Sequence, residues 1–372
     1  MVQRTHHIIQ HMAEQDDIQR IDVIYVKNDQ DGIVAFQQDG KINYFGIRTT
    51  PAWKYGFGHI SNPIKMFLRF NRINKQKYDY IVAESPWGGI VGVLLKKIGK
   101  APIFIYEDMD YFSGFYTISK FRNRVIKILE HLSIRNADKI ITVGHELKKI
   151  RMSINRNIEV IPNGVNFNLF LKASEKPEHP PTMIYMGKID DWAGVELPIL
   201  AMPELIKAVP DLKYVVLGEG GYEQKLRKLV KDMGLEGHVD FLGLKPYSEL
   251  PIYLQKADIG IATFKPIDLM KYAFTLKVIE YGAAGLPVIA TRIGETKRYV
   301  EENQTGLLIS YSREEFINAA MQLFGNKELY KKLALNGINK AKQMSWESIL
   351  NRRYQSINRY ISEHTSQITF HE

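Results

Sequence analysis

Short runs of β-branched and aromatic residues alternate with amphipathic helical stretches from one end of this chain to the other. Strand-like runs fall at 22–26, 80–83, 103–106, 139–143 and 158–161, and a second series follows at 183–186, 214–217, 239–242, 259–262 and 288–290. Helical stretches separate many of them, and two long ones, 327–343 and 346–363, close the chain. Such alternation is typical of βα units, in which helices cover buried parallel strands. The pattern predicts an α/β protein with parallel sheets.

The chain is long enough for two such sheets with separate cores. Its 372 residues are about two and a half times a typical domain of roughly 150 residues. The polar, proline-rich segment 171–181 separates the two series of strands and is the predicted linker. We therefore expect an N-terminal domain at 1–170, a C-terminal domain at 182–345 and a final helix at 346–372. Because the first domain begins directly in a helical stretch, either its sheet lacks the usual opening strand or a leading segment precedes this chain.

Positive charge is concentrated in the first domain. The chain has 50 basic and 41 acidic residues. Positions 1–170 hold 24 basic and 16 acidic residues, a net charge of +8, and the rest of the chain holds 26 basic and 25 acidic residues, a net charge of +1. Basic and aromatic residues interleave at 65–77 and 120–127, where each stretch can form a helix with a cationic face, as peripheral membrane segments do. The same pattern fits any surface helix that covers a sheet. Nucleic acid is a weaker interpretation, because no known binding module is present.

Several classes of protein are excluded by what the sequence lacks. Without cysteine there are no disulfides, thiolate metal sites or cysteine nucleophiles. Apolar runs such as 90–95 are far shorter than the roughly 20 residues that span a bilayer. Arg4, His6 and His7 interrupt the start, which is unlike a secretory signal. The histidines show no metal-ligand spacing, so we predict no metal site, and we expect a cytoplasmic protein whose membrane contact, if any, is peripheral.

The segment 274–290 carries the richest chemistry. A loop leads into a helix whose first N–H groups, near Phe274, Thr275 and Leu276, would favour a diphosphate. Lys277 lies at the start of that helix and could add a cation. Glu280 follows about one turn later on the same face, where a carboxylate can accept hydrogen bonds from both hydroxyls of a ribose. The alternative is an ordinary Lys–Glu pair on a helix surface.

At this segment the chain resembles the retaining glycosyltransferases of family 4, which have the GT-B fold. These enzymes carry two Glu separated by seven residues, followed by small residues and Gly-x-Pro-Val. Glu280 matches the second Glu, and residues 283–288 match the small residues and the Gly-x-Pro-Val. Tyr272 stands at the position of the first Glu, which touches the donor sugar in the family. Residues 277–281 are similar to a Lys-x-x-Glu-Tyr variant of some branches.

Other family motifs follow in the expected order. Residues 161–166 resemble the Ile-Pro-Asn-Gly-Val-Asp that ends the first domain. Gly187 and Lys188 resemble the Gly-Arg or Gly-Lys whose cation reaches the donor diphosphate, although Ala193 replaces the Lys of a nearby Lys-Gly. Gly218 and Gly220 resemble the family's Gly-x-Gly turn, for which a dinucleotide fingerprint is the competing interpretation. The resemblance also implies contacts of the nucleotide base with three residues after the Val-x-Phe-x-Gly strand, namely Leu244, Lys245 and Tyr247.

Two carboxylates end a strand of the first domain where many family members have a polar group near the reaction centre. Asp108 is the first candidate for a catalytic role and Glu107 the second, together with Lys188 and Lys277 on the donor side. An Asp-x-Asp metal motif at 108–110 is disfavoured, because the second domain already handles the diphosphate. The plain alternative is a pair of polar residues at a strand end. The turn at 85–89 could face the cleft or an acceptor phosphate, or be merely structural.

The resemblance implies two Rossmann-like domains facing each other across a cleft, with a C-terminal helix that crosses back to the first. It implies transfer of a sugar from a nucleotide-diphosphate sugar to a glycan or lipid-linked acceptor, with retention of configuration, and without metal or other cofactor. The expected partners are the donor and the acceptor; the charge of the first domain, rather than the resemblance, adds possible peripheral contact with an anionic membrane, and nucleic acid is not expected. Alternatives are a catalytically weak protein of this shape that binds a nucleotide or a membrane, and a dinucleotide-dependent oxidoreductase.

Overall fold

The computed structural model of this protein describes residues 4–27, 37–48, 58–114, 120–175 and 177–368. Packing divides the chain into two compact units. The N-terminal unit comprises Val2–Pro162 with Leu350–Glu372, and the C-terminal unit comprises Asn163–Ile349. The division after Pro162 falls earlier than the segment 171–181, in which the sequence predicts the linker. The physical reason is that Phe170 and Ala173 are buried in a core of the C-terminal unit.

The described part of the N-terminal unit contains two sheets. Its described elements are α1 (Arg4–Ala13), β1 (Ile21–Lys27), β2 (Gln37–Asp39), β3 (Ile42–Arg48), α2 (Gly58–Ile73), β4 (Tyr80–Glu84), α3 (Ser85–Lys97), β5 (Ile103–Asp108), α4 (Lys120–Asn136), β6 (Lys139–Thr142), α5 (His145–Arg151) and β7 (Ile158–Val160). Four strands form a parallel sheet in the order β4-β5-β6-β7. The other sheet has the order β1-β3-β2, with β1 and β3 parallel and β2 antiparallel.

Strand β5 lies inside the four-stranded sheet and is buried along its whole length. Its β-branched and aromatic residues suit a strand covered on both faces. Helix α3 packs close to it because glycines on the helix leave room: a Cβ at Gly92 would collide with the ring of Phe104, and one at Gly89 with Ser133 of α4. The close packing of α3 against β5 and α4 therefore depends on these two glycines.

The C-terminal unit is built on one six-stranded parallel sheet. Its elements are α6 (Phe167–Leu171), β8 (Thr182–Met186), α7 (Glu196–Ala208), β9 (Lys213–Leu217), α8 (Glu223–Asp232), β10 (Val239–Gly243), α9 (Leu250–Leu254), β11 (Ile259–Ala262), α10 (Asp268–Tyr272), α11 (Lys277–Ala283), β12 (Val288–Thr291), α12 (Gly294–Asn303), β13 (Gly306–Ile309), α13 (Arg313–Gly325), α14 (Lys327–Gln343) and the start of α15 (Trp346–Ile368). The strand order is β10-β9-β8-β11-β12-β13. All five pairings are parallel.

This order is that of a doubly wound Rossmann-like sheet. The chain proceeds outward from β8 to β10 and then returns to continue from β11 on the other side. Two apolar cores are present, one including α7, α8 and α13 and the other including α6, α9 and α11. In such sheets, ligands bind outside the carboxyl ends of the strands at the point where the order reverses. That point lies between β8 and β11.

Helix α15 begins in the C-terminal unit, and its residues from Leu350 onward belong to the N-terminal unit. Inside the N-terminal unit, the Arg353 guanidinium of α15 donates to the Glu107 carboxylate with an Nε to Oε1 distance of 2.6 Å. Arg352 donates to the carbonyl oxygen of Val160, at 2.6 Å. Within the described ranges, no helix is both long and apolar enough to cross a membrane.

Candidate functional site

Glycines shape the carboxyl ends of β8, β9 and β10. Gly187 follows β8 with a φ of 136°, Gly218 follows β9 with a φ of 137°, and Gly243 ends β10 with a φ of 70°. A Cβ at Gly218 would collide with the carbonyl oxygen of Gly187, and one at Gly220 with that of Ile189. The turns after β8 and β9 can therefore lie against each other only because these positions carry no side chain. The result is a compact strand-end surface beside the point where the sheet order reverses.

Lys277, the first residue of α11, projects onto this surface. Its Nζ lies 3.9 Å from the centroid of the Tyr185 ring and 5.1 Å from that of Phe264, residues that belong to or follow β8 and β11. A Cβ added to Gly187 would be 2.8 Å from the same nitrogen. Burial lowers the pKa of the Lys277 ammonium to about 7, against the opposing attraction of Glu280. The sheet's reversal point thus holds a buried amine whose positive charge is only partly compensated by Glu280.

Glu280 lies one turn further along α11 and is 7% exposed. The Tyr247 hydroxyl donates to its Oε1 over 2.9 Å. Burial raises the pKa of the Glu280 carboxyl to about 7, although Tyr247 and Lys277 both favour its ionised form. The Tyr247 ring meets the buried Phe170 edge to face at 5.3 Å, so this tyrosine is held at both its ring and its hydroxyl.

Lys188, the other predicted donor cation, has a different environment. Its side chain is 67% exposed, and its Nζ lies 2.6 Å from an Asp190 carboxylate oxygen. Leu244 is 69% exposed, and the Lys245 Nζ lies 5.7 Å from the Tyr253 ring centroid. Among these predicted residues, Lys277, Glu280 and Tyr247 come together, whereas Lys188, Leu244 and Lys245 lie on the exposed loops that follow β8 and β10.

The predicted anion-binding turn lies between α10 and α11. Tyr272 is the last residue of α10, and Leu276 immediately precedes α11 and accepts from the backbone N–H groups of Ile279 and Glu280. The Thr275 hydroxyl lies 3.1 Å from that of Thr296. Phe274 packs at the edge of the core that includes α11.

In the N-terminal unit, Glu107 is clamped between two arginines. Its Oε2 lies 3.1 Å from an Arg4 guanidinium nitrogen and its Oε1 2.6 Å from that of Arg353. Burial would raise the pKa of Glu107, but Arg353 and Arg4 outweigh it and lower that pKa. This carboxylate ties α1 and α15 to β5.

Asp108 belongs to a second buried ion-pair cluster. Its Oδ2 lies 2.9 Å from Arg151 Nε, and Arg151 also bonds Glu130 at 2.6 Å. Burial raises the pKa of Asp108 to about 6 against the opposing effect of Arg151, and the nearby Glu130 carboxylate adds to the rise. Asp108 is fully buried and Glu107 is 2% exposed. These contacts favour a structural role for both, which is the plain alternative that the sequence left open.

The aromatic partners of Lys277 and the arginine partners of the two carboxylates were missed by sequence reasoning. Tyr185 and Phe264 sit at or just beyond strand ends, a position that could have suggested them. Arg151 and Arg353 gave no local signal, because they are 43 and 246 residues from the carboxylates they bond. Within the described ranges, no group of three or more His, Asp or Glu is placed to hold a metal ion.

Comparisons with known proteins agree with this architecture. The family model for Glycosyltransferase Family 4 matches residues 1–169, and that for Glycosyl transferases group 1 matches residues 166–340. D-inositol 3-phosphate glycosyltransferase of Corynebacterium glutamicum (strain R) is 23% identical over 313 residues, which cover 75% of this chain and 72% of that protein.

Solved structures show the same fold. Sucrose-phosphate synthase from Thermosynechococcus elongatus superposes with a TM-score of 0.75 at 19% identity, covering 92% of this chain and 90% of that one. Anabaena HepE, solved in complex with UDP-glucose, gives a TM-score of 0.65 at 18% identity, covering 85% and 86%. The predicted α/β class with two Rossmann-like domains of the GT-B type is therefore confirmed. Between them the two family models span nearly the whole chain, and this protein belongs to the group 1, family 4 glycosyltransferases.

Proposed function

We propose that this glycosyltransferase moves a sugar from a nucleotide-diphosphate sugar to a glycan or lipid-linked acceptor, with retention of configuration and without a metal ion. The C-terminal unit binds the donor and the N-terminal unit binds the acceptor. The observation that carries this assignment is the placement of Lys277 and Glu280, on one turn of α11, at the reversal point of the sheet. The named relative, itself a glycosyltransferase, and the HepE complex with UDP-glucose support it.

Lys277 is suited to the donor diphosphate. A buried ammonium whose pKa lies near 7 is partly uncharged in the free protein, and an adjacent diphosphate would restore its proton. The nitrogen lies near the glycine backbone of Gly187, where no side chain blocks a phosphate. The exposed Lys188 can add a second cation if it exchanges Asp190 for the diphosphate as its partner. The turn at Phe274, Thr275 and Leu276 can add backbone N–H donors.

These positive groups can stabilise the departing nucleotide. When the bond between the sugar and the diphosphate breaks, negative charge develops on the diphosphate oxygens, and cations fixed beside them lower the barrier. Other folds place a metal ion at that position. We propose that Lys277 and Lys188 do this work here, which makes the reaction independent of divalent ions.

Glu280 is suited to the ribose. Tyr247 occupies one carboxylate oxygen with a 2.9 Å hydrogen bond and leaves capacity for ribose hydroxyls. Tyr247, Leu244 and Lys245 lie on the loop after β10, which we propose lies along the nucleotide base. Tyr272, in place of the first motif Glu, would then lie towards the donor sugar.

The carboxylates of β5 enter the proposal as positioning groups. Asp108 and Glu107 have their oxygens bonded to arginines and are buried, so neither is available as a nucleophile or a base. They hold the carboxyl end of β5, on the unit that we propose binds the acceptor.

The test is a thermal-shift screen of the purified chain against UDP-, GDP- and ADP-sugars, followed by transfer assays with lipid and glycan acceptors. We expect stabilisation by one nucleotide family, transfer that persists in EDTA, and a product with the donor's anomeric configuration by NMR. Binding without transfer or donor hydrolysis would instead indicate a catalytically weak nucleotide-binding protein. Stabilisation by NAD(P) alone would contradict the proposal and favour an oxidoreductase.

A further inference from the structure

The two basic helices at 65–77 and 120–127 of the sequence play no part in the proposed chemistry. In the structure, residues 65–73 lie in α2 and residues 120–127 lie in α4; both helices pack against α3 and also contact each other. Each buries one face: Met66 and Phe70 of α2, and Ile126 and Ile134 of α4. Covering the sheet accounts for these buried faces, but it gives no reason for the composition of the opposite ones.

The outward faces carry large apolar side chains. Leu68 of α2 is 60% exposed, and Phe121 and Ile128 of α4 are 65% and 53% exposed. Ile64 of α2 lies one turn from Leu68, and Leu132 of α4 lies one turn from Ile128. Each helix therefore carries a row of exposed apolar side chains. Exposed apolar residues are ordinary when scattered singly, but residues one turn apart on neighbouring helices indicate a surface that contacts something apolar.

Cations lie among these apolar residues. Arg69 and Arg72 share the outward face of α2, and Arg124, Lys127 and Arg135 share that of α4. Among the residues that the structure describes, no ion pair involves any of these five. We call these apolar and basic residues together the α2–α4 surface.

Acidic residues are missing from both helices, with one exception. That exception, Glu130, is 2% exposed and bonded to Arg151 and Ser113 on the inward side. The α2–α4 surface is therefore uniformly positive as well as partly apolar. A surface helix with no other role would ordinarily mix both signs of charge.

We propose that the α2–α4 surface lies on an anionic phospholipid bilayer. A bilayer interface accepts both properties together, since apolar side chains enter the acyl boundary while neighbouring Lys and Arg meet lipid phosphates. A nucleic acid would satisfy the cations but leave the exposed Leu68 and Ile128 in water. The proposal stands on these side chains alone and does not depend on the donor site.

The test is co-sedimentation of the full chain with vesicles of phosphatidylcholine, alone or with 40% phosphatidylglycerol. We expect binding only to the mixed vesicles, and less of it as salt increases. Each cation near an anionic surface is worth roughly fivefold in partition coefficient, so Arg124→Gln with Lys127→Gln should weaken binding roughly 25-fold. Phe121→Ser with Ile128→Ser should weaken it about tenfold or more, because both side chains leave the acyl boundary.

A matched control lies on α14 of the C-terminal unit, where Lys332 and the 58% exposed Leu335 are one turn apart. Lys332→Gln with Leu335→Ser should bind vesicles as the wild type does. An independent pair on α2, Leu68→Ser with Arg69→Gln, repeats the test on the second helix, and melting curves check that each variant folds. Equal binding to both vesicle types, wild-type binding by the surface variants, or binding to RNA or an acidic protein without vesicle binding would each overturn the proposal.

Discussion

Replacing Lys277 with methionine is expected to stabilise the free protein while weakening donor binding. Methionine has a similar length, so it fills the space beside Tyr185 and Phe264 without the charge. A residue kept only for packing or for a surface ion pair would not show opposite effects on folding and binding. A residue whose charge destabilises the free protein but binds the ligand would show both effects, a more stable fold and a weaker affinity.

The stabilisation follows from the lowered pKa. The Lys277 pKa falls from 10.5 to about 7 on folding. At pH 7 the unfolded chain holds this proton fully and the folded chain holds about half, so stability rises with pH between about 7 and 10.5. At pH 7 the lysine costs the folded state up to about 4 kcal/mol. The variant also loses the attraction between the ammonium and the aromatic rings, which offsets about 1–2 kcal/mol of this cost. Lys277→Met should therefore raise the free energy of unfolding by about 1–3 kcal/mol.

The loss of donor affinity follows from the lost hydrogen bond to a charged group. Such bonds contribute about 1.5–3 kcal/mol, which corresponds to a rise of roughly 10- to 150-fold in the Kd of the nucleotide sugar. The assay pairs urea unfolding at pH 7 with titration calorimetry. Lys188→Met is the control for stability, because its exposed pair with Asp190 is worth less than about 1 kcal/mol. A destabilised Lys277→Met with unchanged donor affinity would refute the reasoning.

Three further outcomes are expected. Affinity for an intact nucleotide-diphosphate sugar should be greatest near pH 7, because Glu280 gains its proton below and Lys277 loses its proton above that pH; calorimetry from pH 5.5 to 9 checks this, and a flat profile would count against the site. Tyr247→Phe should reduce discrimination between ribose and 2′-deoxyribose donors severalfold, because the Glu280 carboxylate loses the hydrogen bond that orients it; undiminished discrimination in paired Kd measurements would remove that role. Arg151→Met should lower the free energy of unfolding by about 3–5 kcal/mol, because the Asp108 cluster loses its cation; a loss below about 1 kcal/mol by urea titration would show that the cluster contributes little.

Most of the strands that the sequence predicts are rich in apolar, β-branched and aromatic residues. Strands β5 and β8 are buried along their whole length and consist mainly of apolar residues, so their burial can be inferred locally. Strands β2 and β3, which are partly polar, were not predicted, and neither was the four-residue β13. Asn43 of β3 is buried, and its side chain donates to the Asp22 carboxylate of the neighbouring β1 at 2.8 Å. A polar residue satisfied by a distant partner leaves no local pattern.

The candidate site was predictable where its geometry is local. Lys277 and Glu280 share a helix face by their spacing alone. That Tyr247 donates to Glu280 depends on the order of the strands, since the two residues are 33 positions apart. The same reason applies to Asp108. Its position at a strand end can be inferred from the local sequence, but its burial against Arg151 depends on a tertiary contact. The sequence therefore predicts where polar groups collect better than whether they remain exposed.

The most direct test of the donor site is the Kd of the preferred nucleotide sugar for the wild type and for Glu280→Ala. Losing charge-assisted hydrogen bonds to the ribose, at about 1.5–3 kcal/mol, predicts a rise in Kd of about tenfold or more. Glu347→Ala, an exchange on the first turn of α15, is the control and should leave the Kd unchanged. An unaltered Kd for Glu280→Ala would contradict the assignment of the donor to this site.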